Sequence, residues 1–329
     1  MLAREILQRV REIQIRTGRQ VADVLAGEYV SVFKGRGIEF EEVRPYVPGD
    51  DVRTIDWNVT ARTGEPFVKR YVEERQLTLM LMADVSASQD FGSHTRSKRE
   101  AAAELCALLA FSASSSDDKV GLTLFHGDIE QYIPPRKGQK HALRVVREVL
   151  AHGAEAPAVA RSVPPVEPDR GFSLGRLADS LRAPFGKARE PRQATNIAHA
   201  MEFLLSVTKR RTICFVVSDF LDEGWEQALV AANQRHDVIA VLVTDPRELA
   251  LADLGLVALR DAETGETGLY DTGSKAFRDE VERSAAARVE ALERRLRGLG
   301  IDFICIDAAG SVVEPLVRFF RMRTRRQRR

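Results

Sequence analysis

Cysteine is scarce here: Cys106, Cys214 and Cys305 are the three present in 329 residues. They stand far apart in apolar stretches, which excludes a disulfide framework or a paired-thiol zinc site and predicts buried thiols in a reducing compartment. No run approaches the ~18 consecutive apolar residues of a membrane span. The opening MLAREILQRVREIQIRTGRQ is too charged for a secretory signal. With Leu2, Ile6, Val10 and Ile13 at helical spacing, it predicts an amphipathic helix. Charge of one sign is also missing. The 49 basic and 48 acidic residues leave a formal +1, so bulk charge argues for neither nucleic acid nor an acidic partner. There is no G-x-x-x-x-G-K-[ST] run, so the chain is not itself a P-loop ATPase. The histidines are scattered without metal-ligand spacing, and no internal repeat is visible. Together these absences place the expected protein in the cytoplasm, with no membrane span.

What is present is an alternation of strands and helices. Residues 1–76 read as an N-terminal helix and a strand-rich subdomain dense in Gly, Pro and charge. Phe67–Val68 and Tyr71–Val72 are strand signals, PGDD and RTGEP are turns, and Trp57 is expected to anchor this part against the sheet. From residue 77, apolar strands (LTLMLMAD, KVGLTLF, RTICFVVSD, DVIAVLVTD, IDFICIDA) are separated by helical stretches. This order predicts a doubly wound, mostly parallel α/β sheet covered on both faces. KVGLTLF and the following IEQYIPP are the expected antiparallel exception at an edge, and VALRDAETGETGLYDTG reads as a hairpin turning at GET. A Pro-, Arg- and Ala-rich insertion is expected at about 153–193. The arginine-dense RFFRMRTRRQRR reads as a solvated, partly disordered basic end rather than a nucleic-acid site, since aromatics beyond Phe319 and Phe320 do not interleave it.

The stretch LTLMLMADVSAS carries the chemistry. A buried strand ends on Asp84, followed by Ser86 and Ser88. In open α/β sheets, binding sites lie just beyond the carboxyl ends of the strands. RTICFVVSD ends the same way, on Ser218 and Asp219, and QATNIAHAM offers Thr195 at a helix start. If these loops converge, two carboxylates and three hydroxyls form a hard oxygen site suited to Mg2+ or Mn2+. Neutral hydroxyl ligands leave such an ion much of its charge, so it would favour a further anionic oxygen, such as a partner protein's carboxylate.

The D-x-S-x-S run, the distant threonine and the aspartate after an apolar strand resemble the metal-ion-dependent adhesion site (MIDAS) of von Willebrand factor type A domains. The resemblance implies a metal set of Asp84, Ser86, Ser88, Thr195 and Asp219, on a type A-like domain spanning residues 77–329. The lead-in FKGRGIEFEEVRPYVPGDDVRTIDWNVTARTGEPFVKRYVEER further resembles the bacterial domain-of-unknown-function family 58. Members are often encoded beside MoxR-type AAA+ ATPases, and many carry membrane helices ahead of this segment. The resemblance implies a non-enzymatic interaction module whose partner is a MoxR-type ATPase or its client.

Plainer readings compete. A lone D-x-S-x-S is usually a helix N-cap, as Thr195 could be for the helix after it and Asp219 for the helix near Gly224. A phosphoryl hydrolase with an aspartate nucleophile generally needs a second carboxylate two residues on, where Ser86 stands. A scaffold with a vestigial site is the third possibility.

Overall fold

The computed structural model describes residues 27, 29, 32–33, 39–72, 76–154, 195–260 and 267–327. The expected N-terminal helix around Leu2–Ile13, the bulk of the 153–193 insertion and the GET turn lie outside the described residues.

A six-stranded sheet organises the molecule. Its strands are β3 (Thr78–Asp84), β4 (Lys119–Phe125), β5 (Ile129–Arg136), β6 (Ile213–Ser218), β7 (Asp237–Thr244) and β10 (Asp302–Asp307). They run in the order β10-β7-β6-β3-β4-β5. Every pairing is parallel except β4 with β5, the antiparallel edge. The doubly wound, mostly parallel fold expected from the sequence is therefore the observed one.

The central strands β3, β6 and β7 are almost wholly apolar and buried because both faces are covered, and successive side chains alternate between the two layers. Leu79, Leu81 and Ala83 of β3 join one buried cluster. It also holds the alanine-rich face of α2 (Lys98–Ser115), Val145 and Val149 of α3 (Gln139–Ala154), and Leu316 and Phe320 of α8 (Val313–Gln327). Met80 and Met82 join the other cluster, with Met201 and Leu204 of α4 (Ile197–Val207), Leu229 of α5 (Glu226–Arg235) and Leu296 of α7 (Lys275–Gly298). The short α6 (Pro246–Leu249) follows β7.

Two small sheets stand apart from the main one. β1 (Glu39–Pro45) pairs antiparallel with β2 (Phe67–Val72), and β8 (Leu256–Arg260) pairs antiparallel with β9 (Thr267–Asp271), the expected hairpin. Between β1 and β2 lies a helix the sequence reading did not anticipate, α1 (Trp57–Thr63). Its composition is poor for a helix, but Asp56 accepts hydrogen bonds from Asn58 N and Val59 N at one end, and Gly64 (φ 80°) closes the other in the left-handed conformation.

Three expectations are corrected. Trp57 is not a buried anchor against the sheet: it sits in the first turn of α1 and is 69% exposed. Cys305 is exposed, whereas Cys106 and Cys214 are buried. As far as Gln327 the basic end forms the last turns of α8, with Phe319 and Phe320 buried in the core. Its Arg323 pairs with Asp237 and Asp302 at the starts of β7 and β10, and Arg326 lies 2.9 Å from Asp302.

Candidate metal centre at the carboxyl rim of the sheet

The loops after β3, β6 and β7, with the segment leading into α4, meet at the carboxyl edge of the sheet. Asp84 is the last residue of β3 and is 2% exposed. Its Oδ1 accepts Ser86 N (2.8 Å), while its Oδ2 accepts Ser218 Oγ (2.6 Å) and Thr195 Oγ1 (3.3 Å). The Ser86 and Ser88 hydroxyls share a hydrogen bond of 3.0 Å. Thus Asp84, Ser86, Ser88 and Thr195 lie together, all buried, although 111 residues separate Asp84 from Thr195.

Asp219 is buried beside them. Burial first, and the Asp219 charge second, push the Asp84 carboxyl up to about 6, against the hydrogen bonds from Ser218 and Ser86 that favour its ionised form. Phe220, the next residue, has φ 52°, a left-handed conformation uncommon outside glycine. Its N–H reaches back to Ser218 Oγ (3.2 Å) and its ring packs edge-on against Trp225, which fixes the bend that turns Asp219 into the rim.

The capping alternatives find no support in the geometry. Ser86 precedes the 3-10 turn Ala87–Asp90 without a side-chain cap bond. Helix α2 is capped by Ser97, α4 by Asn196, and the N–H of Ile197 is taken by Asp222. The hydroxyls and carboxylates expected at the site are therefore free of helix-capping duty.

Further residues complete this rim beyond the expected set. Ser218 was visible beside Asp219, but its bond to Asp84 was not. Lys98, the first residue of α2, is fully buried, with Nζ 2.9 Å from Asp219 Oδ2 and 2.6 Å from Glu248 Oε1 of α6. Burial pulls its pKa down, but the charges and hydrogen bonds of Asp219 and Glu248 outweigh that, and the net shift is upward. No sequence signal marks this lysine, because its partners lie on distant loops. Close by, Ser93 bonds Asp245 through its N–H (2.9 Å) and hydroxyl, tying the loop after β3 to the loop after β7.

For a hard divalent ion, the donor chemistry is suitable: oxygen donors only, from two carboxylates and neutral hydroxyls. Among the described residues no group of three or more His, Cys, Asp or Glu is placed to hold a metal. The set rests on hydroxyls instead, and one of its two carboxylates is already paired to an ammonium. Exposed apolar side chains stand on the same loops: Phe91 (42% exposed) and Leu221 (48% exposed).

An open α/β sheet that gathers buried carboxylates and hydroxyls beyond its strand ends is a domain of the doubly wound class. A family model described as "Protein of unknown function DUF58" matches residues 42–291, and the chain belongs to that family. Uncharacterized proteins of Mycobacterium bovis and Mycobacterium tuberculosis are each 32% identical over 317 residues, covering 96% of this chain and 89% of theirs. Among solved structures, the conserved hypothetical protein BatB from Bacteroides thetaiotaomicron has 18% identity and a TM-score of 0.42, covering 76% of this chain and 99% of that one. The SpRpn10 VWA domain has 9% identity and a TM-score of 0.32, covering 74% and 94%.

The expected cytoplasmic location is corrected by these comparisons. An aerotolerance-related membrane protein from Bacteroides fragilis is among the similar folds, at 16% identity, TM-score 0.41, and coverage of 75% and 99%. No helix among the described residues is long and apolar enough to cross a membrane.

Proposed function

We propose that this protein is a metal-dependent protein-interaction module whose rim would hold Mg2+ or Mn2+ through Asp84, Ser86, Ser88, Thr195 and Asp219. The ion would supply an electrophilic position for a carboxylate of the partner. Support comes chiefly from one observation: Asp84, buried at a strand end, is surrounded by hydroxyls from three separate segments, none of them used as a helix cap. The exposed Phe91 and Leu221 on the same loops would give a partner apolar contact beside the polar centre. The chain's own residues position and desolvate the oxygens, and in this reading it catalyses no reaction. The partner we favour is a MoxR-type AAA+ ATPase or its client, on the strength of the family resemblance.

The test is association with a co-expressed MoxR-type ATPase from the same genome, measured in Mg2+ and in EDTA. Wild type should associate only with Mg2+. Ser86→Ala and Asp84→Ala should lose association while retaining the wild-type circular dichroism spectrum. Association that survives EDTA removes the bridging role of the ion.

Lys98 favours a second reading, phosphoryl hydrolysis, because it brings a cation to a strand-end aspartate. Ser86 still occupies the place of the acid–base carboxylate, so the interaction reading is preferred. Turnover of p-nitrophenyl phosphate by the isolated protein, abolished in Asp84→Asn, would reverse that preference.

A further inference from the structure

We infer that Lys98 is a built-in cation that competes with the divalent ion for Asp219, so that the rim admits metal as the ammonium withdraws toward Glu248. This rests on the metal reading of the rim and specifies how that rim is regulated.

The argument begins with placement. Lys98 Nζ touches Asp219 Oδ2 at 2.9 Å and Glu248 Oε1 at 2.6 Å, and its side chain is 0% exposed. A buried ammonium is costly without compensating charge, so it stays where carboxylates hold it. The two carboxylates differ. Asp219 belongs to the candidate ion set and has a 4% exposed side chain, whereas Glu248 lies outside that set and is 24% exposed. An ion drawing on Asp219 meets a positive charge already hydrogen-bonded there, and like charges in a poorly hydrated site repel strongly. Glu248 gives the displaced ammonium a partner without exposing it fully. The backbone holds the anchor of that swing in place: Ser97 and Glu100 form a reciprocal cap at the start of α2, and Lys98 N donates to Phe91 O (2.9 Å). Motion is thereby confined to the long side chain. Glu248 also borders a groove lined by Glu280, Ser284 and Arg288 of α7, so a partner seated there would act directly on the lysine's second anchor.

The prediction has two arms of opposite sign. MnCl2 is titrated calorimetrically into the full chain in wild-type form and as Lys98→Met, Glu248→Gln and Arg247→Met. Lys98→Met should bind at least tenfold tighter than wild type. Glu248→Gln should bind at least threefold more weakly, because the displaced ammonium then lacks a carboxylate partner. Arg247→Met, which neutralises an exposed cation on the same helix, should stay within twofold. Without metal, Lys98→Met should melt below wild type, and Mn2+ should raise its Tm by more than it raises wild type's. Binding by Lys98→Met with none by wild type overturns the exchange and the metal reading of the wild-type rim, leaving the lysine as its permanent cation. Binding by both with Kd values within twofold overturns it and leaves the metal reading standing. No heat and no Tm change in either protein overturns both. Should Lys98→Met fail to fold, Glu248→Gln decides, and an unchanged Kd there overturns the competition.

Discussion

Asp84 shows at the scale of one residue what the rim requires. It is buried beside Asp219, whose charge is already paired with the Lys98 ammonium, so burial is the larger penalty on its own ionised form. Its raised pKa, about 6, sets a sign for stability. The unfolded carboxyl ionises near 3.8, so between about 4 and 6 the folded state holds a proton that the unfolded state has released. Stability from this group therefore falls as pH rises through that window, by about 3 kcal/mol in metal-free protein. Urea denaturation in EDTA should show that fall in wild type and a flatter profile in Asp84→Asn. Parallel profiles would mean that neither burial nor the Asp219 charge penalises the ionised Asp84 carboxyl. Residue type alone misled in the opposite direction at Trp57, which was expected to be an anchor. Its position in the first turn of a two-turn helix leaves the ring in solvent, since large apolar residues are not obliged to be buried.

At the scale of the element, caps and loop ties decide where side chains arrive. Helix α2 starts with Ser97 and Glu100 satisfying each other's backbone N–H groups, at 3.2 and 3.0 Å. Ser97→Ala should cost about 1 kcal/mol in urea denaturation. Because Lys98 is the next residue, the change should also alter the Mn2+ isotherm. Gly92 serves the same loop by close approach, since a Cβ there would lie 2.6 Å from Ser97 Cα. The tie between Ser93 and Asp245 acts through charge. Burial alone would raise the Asp245 carboxyl, but hydrogen bonds from Ser93 and Arg247 N, with the His94 charge, hold it below the usual range. A depressed carboxylate stabilises the fold above its unfolded pKa, and that contribution is lost as pH falls through the folded value. Ser93→Ala should move the Asp245 titration, followed by carboxyl-resolved NMR, back up toward the ordinary range. A midpoint that does not move would show that Ser93 is not what holds it down. Such ties were not legible, because the hydrogen bond spans 152 residues and leaves no local pattern.

At the scale of the molecule, the sheet separates two buried layers, and side chains from either side of it in sequence meet in one of them. Tyr29 and Phe33 lie in helix ahead of β1, yet their rings pack with Phe320 near the end of α8, at 6.4 and 5.9 Å between centroids. Arg323 lies 4.9 Å over the Phe33 ring while pairing with Asp237 and Asp302. The arginine-rich end is thus helical because part of its charge is neutralised by strand-start carboxylates and its aromatics are in the core. Phe320→Ala should cost about 3–5 kcal/mol, measured by urea denaturation. A loss under about 1 kcal/mol would place α8 outside the cooperative unit.

By itself the sequence determined the alternating elements, the antiparallel edge and the residues at the strand ends. Each follows from local periodicity and from the rule that such sheets open their binding rims at strand carboxyl ends. Only the tertiary structure decided which cation meets Asp219, which hydroxyl supports Asp84, and that the basic end is packed helix. Those outcomes depend on charges and hydrogen-bond donors brought within 3 Å from positions as much as 150 residues away, where desolvation sets their strength and chain order carries no trace of it.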